Sequence, residues 1–263
     1  MFALLRRAVE TLALFTSLTL LGVLCLSWTI VALPLLLLLP RRQGVKCGRL
    51  AITVGFRLYV WSLRLMGAYR LDLRALDELR GGPAVVLAPN HPSLIDAALI
   101  LAYGHNVACI MKSALMNNVF LGASARLARY IRNDPPRRMI IEAVAELRQG
   151  GVVLLFPEGT RTTRVPVNPL TASVGIIAKQ AGVPVQTLII EQDSPFLSKG
   201  WSLFRRPTLP ITYRMRLGRR FDPPANVRAF VIELEDYFRS ELAESPQNRW
   251  LEARGAVGRT AGT

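Results

Sequence analysis

The chain holds two histidines, and one of them, His91, stands in the segment Asn90-His91-Pro92-Ser93-Leu94-Ile95-Asp96. Imidazole is the side chain best suited to accept a proton near neutral pH. An acid five positions later, across a turn, can hold the second ring nitrogen and fix the tautomer, as the third member of a hydrolase triad does. The same residues also suit plain structure, with Ser93 as a helix N-cap, Asp96 as its N3 partner in a capping box and His91 as a turn residue. A second cluster, Phe156-Pro157-Glu158-Gly159-Thr160-Arg161, follows an apolar run and breaks it sharply. It offers a carboxylate, a bare backbone, a hydroxyl and a guanidinium in succession. Arg161 suits a phosphate, which it can grip with two parallel hydrogen bonds. The plain alternative is a surface turn closed by a Glu–Arg ion pair.

The flanking pattern sets both clusters at strand ends. Tyr69, Leu71 and Leu73 alternate with charged residues as a strand does, and 84–88 is a short buried-strand run. Residues 94–103 read as a helix closed by Gly104, and 107–111 as a strand. Ile140, Ile141, Val144 and Leu147 mark one face of a helix that stops at Gly150-Gly151. Strands follow at 152–156, 183–190 and 211–217, with a helix at 170–181 between the first two. After Pro223-Pro224 a last helix buries Val227, Phe230, Val231, Leu234, Tyr237 and Phe238. Alternating units of this kind predict an α/β fold, and in open α/β sheets ligand and catalytic groups collect where strands end. Of the other residues that could do chemistry, His105 lacks Cys or Asp partners for a metal, Cys109 suits inert packing, and no nucleophile elbow surrounds Ser93. The stretch 194–207, SPFLSKGWSLFRRP, mixes aromatics with Lys199, Arg205 and Arg206; it reads as a membrane-facing or donor-facing loop, or as an ordinary solvated one.

The N-terminal part differs in kind. Residues 11–40 carry no charge, and as a helix they would reach roughly 45 Å, more than the hydrocarbon core of a bilayer. Such a stretch can cross with tilt, or break at Pro34 into a hairpin. It is too long for a usual signal-peptide apolar region, and no small-residue cleavage site precedes Arg41, Arg42, Lys46 and Arg49, so it reads as a retained anchor. Arg57 and Arg64, with Tyr59 and Trp61 between them, suit a helix at headgroup level or a core helix with snorkelling arginines. Net charge is +15, from 33 Lys and Arg against 18 Asp and Glu, which calls for an anionic partner. No nucleic-acid-binding motif is present, and beside an apolar anchor anionic membrane lipids are the simpler partner. Three cysteines without paired spacing fit a reducing, cytoplasmic side. The expected division is an anchor over 1–67, a catalytic domain over 68–244 and a disordered tail over 245–263.

His91 and Asp96 in the NHPSLID segment, followed by FPEGTR, resemble the first and third motifs of the glycerolipid acyltransferase family, which includes the lysophosphatidate acyltransferases. The helix over 141–151 and Gly182-Val183-Pro184-Val185, similar to the fourth motif, extend the resemblance over about 68–217. It implies a mixed β-sheet flanked by helices, with His91 as general base and Asp96 orienting it. It implies that Glu158, Gly159, Thr160 and Arg161 bind the glycerol-phosphate part of a lysolipid acceptor. The donor it implies is a thioester, acyl-CoA or acyl carrier protein, with no metal and no cofactor. Lys112 begins a counterpart of the second motif, whose phosphate-binding arginine falls to Arg132, with Arg126 and Arg129 as competitors. Thr171 and Ser173 stand where many members carry a lysine and a glycine, which leaves lyso-ornithine lipid open beside lysophosphatidate. A lipid hydrolase or thioesterase using the same histidine, or a non-catalytic lipid-binding scaffold, are the readings from other classes.

Overall fold

The computed structural model describes residues 2–79, 81–104 and 106–260; His105 lies outside the described residues. Seven strands form a mixed sheet in the order β1-β7-β6-β2-β5-β3-β4. They are β1 (Tyr69–Asp72), β2 (Val85–Pro89), β3 (Val107–Met111), β4 (Ile131–Arg132), β5 (Val152–Leu154), β6 (Val185–Gln192) and β7 (Ile211–Phe221). The five strands from β6 to β4 run parallel, while β7 is antiparallel to β6 and parallel to β1. The carboxyl ends of β2, β3, β4, β5 and β6 therefore share one edge, where both sequence clusters emerge.

Because successive side chains on a strand point to opposite faces, the apolar strands feed two cores at once. Leu87, Cys109, Leu154, Leu188 and Ile190 face one layer, made by α2 (Arg41–Leu65) and α3 (Asp96–Tyr103). Val86, Ala88, Ala108, Val153, Leu155 and Ile189 face the other, made by α6 (Pro136–Arg148), α7 (Ser173–Ala181) and α8 (Val227–Glu241). Local chemistry sets the helix ends. Asn226 caps α8 by accepting from Arg228 N and Ala229 N, and α7 closes on Gly182 at φ +67°. The expected strand 152–156 pairs only to Leu154, with Leu155 N still donating to Leu87 O at 3.0 Å before Pro157 ends the ladder. The short elements β4, α4 (Ser113–Met116) and α5 (Gly122–Leu127) carry too few residues for a periodic signal and were not anticipated.

The N-terminal segment forms two helices, α1 and α2. The helix α1 (Phe2–Leu38) runs straight through Pro34, and the chain turns at Leu39-Pro40, where Pro40 is the N-cap of α2. Leu4–Leu38 is long and apolar enough to cross a membrane. Yet α1 is also fastened to the rest of the protein towards both of its ends. At its start Arg6 Nη2 donates to Leu209 O at 3.4 Å and Glu10 accepts from Leu209 N at 3.3 Å. Towards its end Thr29 Oγ1 donates to Phe120 O at 3.1 Å, and Ala32 packs on Ala123 and Leu127. In α2 the arginines serve the protein itself: Arg57 Nε donates to Ala102 O at 2.7 Å, on the last turn of α3, and Arg64 Nη2 to Leu71 O at 3.3 Å. Of the four cations after the turn, Arg41, Arg42 and Lys46 are exposed and Arg49 is buried. Arg49 donates to Ala128 O at 3.1 Å, to Asn106 Oδ1 at 2.7 Å and to Glu146 Oε1 at 2.6 Å, clamping α2 to the catalytic layers. The tail expected to lack order contains α9 (Gln247–Thr260), pinned where Asn248 Nδ2 donates to Leu242 O and Ala243 O, both at 2.8 Å, and where Leu251 is buried.

The α2 crossing depends on Gly48, where an added Cβ would lie 2.7 Å from Ala128 N and 2.9 Å from Leu127 C. Backbone atoms cannot swing aside as a side-chain tip can. Gly48→Ala is therefore expected to destabilise the protein by about 1–3 kcal/mol, read as a lowered thermal midpoint in detergent.

Candidate active site

His91 and Asp96, the candidate base and its partner, are in direct contact. His91 follows β2 and Asp96 opens α3; His91 Nδ1 and Asp96 Oδ2 are 2.9 Å apart, with the His91 side chain 16% exposed and that of Asp96 fully buried. The capping box forms by half: Asp96 Oδ2 accepts from Ser93 N at 2.8 Å, but Ser93 Oγ turns away and donates to Phe196 O at 3.0 Å. One carboxylate oxygen thus holds both the turn and the ring. The His91 ring also stacks on Phe156, centroids 3.9 Å apart and planes 25° from parallel. With Nδ1 engaged by Asp96, Nε2 is the ring nitrogen left to take a proton. Behind the pair, Asp96 Oδ1, Tyr213 Oη and both amide atoms of Gln192 are buried without a hydrogen-bond partner among the described residues. Gln192 and Tyr213 are cross-strand partners on β6 and β7, so the polar wall behind Asp96 is built by the sheet itself.

Glu158, which the motif resemblance gives to the acceptor, is engaged by protein donors. It is buried; its Oε1 accepts from His91 N at 2.8 Å and from Thr162 Oγ1 at 2.8 Å, and its Oε2 from Asn168 N at 3.0 Å. Thr162 N in turn donates to His91 O at 2.7 Å. The carboxylate is spent on protein donors and braces the two motif turns against each other, which a surface Glu–Arg pair could not do. Gly159 occupies φ +66°, a conformation costing other L-residues about 1–2 kcal/mol, and Gly159 N closes the turn onto Phe156 O. Thr171, in the place of the family's lysine, donates from Oγ1 to Pro157 O at 2.9 Å and lies 2.8 Å from Ser173 Oγ, securing the same turn from behind.

Arg161 lies beside the pair, close enough for its charge to favour ionised Asp96. Its Nη1 donates to Leu197 O at 2.8 Å and Ser198 O at 3.0 Å, so the loop after β6 aims it. Leu197 holds φ +58°, a left-handed conformation costing about 1–2 kcal/mol in a non-glycine residue. Its carbonyl offsets that cost by accepting from Arg161 and also from Leu94 N, at 3.0 Å. Thr160 is half-buried and Gly159 exposed. Lys112 and Arg132 are exposed on the same edge, following β3 and ending β4, where Met111 pairs with Arg132. By strand spacing their backbones stand roughly 10 and 14 Å to the side of β2, two and three strands along the same edge. Of the competitors to Arg132, Arg126 Nε donates to Gly122 O at 3.1 Å, and Arg129 takes φ +55° at the end of α5.

Sequence reasoning missed Asn90, Thr162, Asn168 and the Leu197–Ser198 carbonyls. Asn90 is 1% exposed and replaces a ladder rung: its Nδ2 donates to Ile190 O at 2.9 Å and its Oδ1 accepts from Ile190 N at 2.7 Å. Its place in the NHPSLID segment was the one available signal. Long-range carbonyl acceptors leave no trace in residue type.

Burial dominates the titration of both acids. Desolvation raises Asp96, partly offset by the His91 and Ser93 bonds, and raises Glu158, partly offset by Asn168, Thr162 and His91. A carboxylate raised in the folded state contributes stability below its unfolded value and loses it as pH rises through the folded value. Ionising this site thus costs stability, which the bonds to backbone N–H groups partly return.

Residues 70–191 match the family model described as Acyltransferase. Over 154 residues the chain is 23% identical to the 1-acyl-sn-glycerol-3-phosphate acyltransferase of Pseudomonas aeruginosa, covering 56% of this chain and 60% of that one. Over 130 residues it is 27% identical to the chloroplastic 1-acyl-sn-glycerol-3-phosphate acyltransferase BAT2 of Brassica napus, covering 47% and 38%. The chain thus spans less than two thirds of the length of either relative. The crystal structure of the 1-acyl-sn-glycerophosphate acyltransferase PlsC from Thermotoga maritima superposes with a TM-score of 0.68 at 20% identity, over 91% of this chain and 96% of that one. The fold is therefore the mixed α/β sheet of that structure, helices on both faces. By these matches the chain is similar to acyltransferases, and the two relatives are both named as 1-acyl-sn-glycerol-3-phosphate acyltransferases.

If Glu158 is a brace, Glu158→Ala leaves three donors unmet, at about 1–3 kcal/mol for each one that stays buried. A lowered thermal midpoint and a lowered kcat are expected, with the acceptor KM little changed. A raised acceptor KM at an unchanged midpoint would return Glu158 to the substrate.

Proposed function

We propose that this chain is a membrane-bound enzyme of phospholipid biosynthesis that transfers a fatty acyl group from acyl-CoA or acyl carrier protein to the free hydroxyl of a lysophosphatidate-like lysolipid. The observation that carries this is a histidine held by a buried carboxylate at 2.9 Å, with an arginine at its side and no activated nucleophile in the chain's motifs. His91 Nε2 takes the acceptor hydroxyl proton as that oxygen attacks the thioester carbonyl. The tetrahedral intermediate collapses, the carbon–sulfur bond breaks, and the departing thiolate receives the proton back from His91. Asp96 holds the tautomer and balances the transient imidazolium. No covalent acyl-enzyme is needed. Arg161, aimed by the Leu197 and Ser198 carbonyls, holds the acceptor phosphate. The exposed cations Lys112 and Arg132, on the same edge, serve the phosphate-bearing parts of the substrates further along it.

Membrane attachment rests on α1, whose exposed apolar residues include Leu12, Val23, Ile30, Leu33 and Leu37. The contacts at Arg6 and Ala32 are about 39 Å apart along the helix, and both are made to the same catalytic layers. A helix fastened that way favours lying in one leaflet with α2 over standing across the bilayer, because a crossing would drag the domain in with it. Thioester donors are cytoplasmic, and exposed Arg41, Arg42 and Lys46 at the helix turn suit a cytoplasmic face.

The test offers purified protein a panel of lysolipids with each donor type and identifies the products by mass. His91→Ala and Asp96→Ala are expected to lose about 10²–10⁴-fold in transfer with the fold intact. Near-normal turnover by folded His91→Ala refutes the mechanism, and free fatty acid released without any acceptor identifies a hydrolase instead. In the same assay Arg161→Ala should raise the KM of a phosphate-bearing acceptor far more than that of the donor. The reverse pattern would give the third motif to the donor.

A further inference from the structure

The loop between β6 and β7, residues 193–210, is tied to the catalytic centre at one end and to α1 at the other. On its inner limb Phe196 O accepts from Ser93 Oγ, Leu197 O from Leu94 N and Arg161 Nη1, and Ser198 O from Arg161 Nη1. On its outer limb Leu203 and Phe204 stand 43% and 67% exposed. Phe204 stacks on Phe15 of α1, centroids 6.3 Å apart, and the Leu209 peptide groups are held by Arg6 and Glu10. Lys199, Arg205 and Arg206 are exposed around these two apolar side chains, and the Arg205 guanidinium lies 4.5 Å from the Trp201 ring centroid.

The geometry points to the 199–206 tip as a second membrane contact: Leu203 and Phe204 enter the acyl boundary of an anionic bilayer beside α1, Arg205 and Arg206 meet lipid phosphates, and this docking holds Arg161 in place for the acceptor. The occupant follows from the chemistry of the patch. Two exposed apolar side chains ringed by cations complement a surface that is apolar beneath and anionic above. The Phe15–Phe204 stack makes the patch continuous with the apolar face of α1, where Leu12 is 69% exposed. A second copy of this chain fits poorly, because a net charge of +15 repels itself. The loop then transmits position. Its tip is fixed by lipid and α1, and its inner carbonyls orient the guanidinium beside His91. The docking half stands on geometry alone, and the coupling half rests on the acyltransferase reading.

The experiment places a nitroxide at Phe204→Cys, and separately at Ile30→Cys on α1, in a Cys25→Ser, Cys47→Ser background; the remaining thiol, Cys109, is buried. Collision with oxygen and with a water-soluble nickel chelate is measured on phosphatidylcholine–phosphatidylglycerol vesicles. Both labels are expected below the phosphate plane. The Ile30 label inserted and the Phe204 label in water would overturn the loop contact while leaving the anchor and the enzyme reading standing. Both labels in water would overturn membrane attachment altogether. For the coupling half, Leu203→Ser with Phe204→Ser should raise the KM of a long-chain acceptor presented in vesicles about tenfold, without changing the KM of a short-chain, monodisperse acceptor. An equal change for both acceptors overturns the coupling. Unsubstituted protein that inserts at both labels yet transfers no acyl group overturns the enzyme reading and the coupling with it, while the loop contact holds.

Discussion

The Glu158 carboxylate accepts from the backbone of one motif and the side chain and backbone of the next, and the geometry of the site follows from that bridge. His91 N, Thr162 Oγ1 and Asn168 N converge on it from three segments. Thr162 N returns a bond to His91 O, so the two turns lock as a pair rather than sitting side by side. Two adjacent parallel strands, β2 and β5, deliver these turns to one edge, but strand pairing alone leaves each turn free to tilt. A buried carboxylate with its lone pairs committed removes that freedom, because any tilt would strand a donor in a place water does not reach.

The site as a whole accepts an electrostatic cost to gain position. Asp96 and Glu158 are both raised by burial, an effect partly offset at Asp96 by His91, Ser93 N and the Arg161 charge, and at Glu158 by Asn168 N, Thr162 and His91 N. The strain at Leu197 belongs to the same pattern, since its left-handed backbone directs one carbonyl at both Leu94 N and Arg161. Preorganised groups of this kind would not need to rearrange as charge moves in the proposed acyl transfer.

The N-terminal helices join this arrangement through specific polar bonds, not through apolar contact alone. Arg49 reaches from α2 to Glu146 on α6, and Glu10 and Arg6 grip the loop that carries Leu197 and Ser198 at its other end. An apolar face has no preferred rotation in lipid, whereas a buried ion pair and peptide hydrogen bonds fix one. The exposed apolar side of α1 is thereby held in a fixed position relative to the strand edge that carries His91.

Much of this was written in residue type and spacing. The alternating strands, the α/β class, the pairing of His91 with Asp96 and the apolar N-terminal stretch all depend on neighbours within a few residues, where periodicity and turn chemistry report directly. Other features were decided only by distant contacts. The run 11–40 could have broken at Pro34, but packing on Ala123 and Leu127 carried the helix past it to Leu38. Arg57 and Arg64 suited a headgroup-level helix and a core helix alike until Ala102 O and Leu71 O gave them protein partners. Glu158 was given to the acceptor by the motif resemblance, and residue type alone also allowed a surface Glu–Arg pair. Three donors from His91, Thr162 and Asn168 buried Glu158, and their convergence exists only once the sheet has brought β2 and β5 together. Sequence spacing set which groups were available; long-range hydrogen bonds, blind to residue type, decided which of them are held by protein partners.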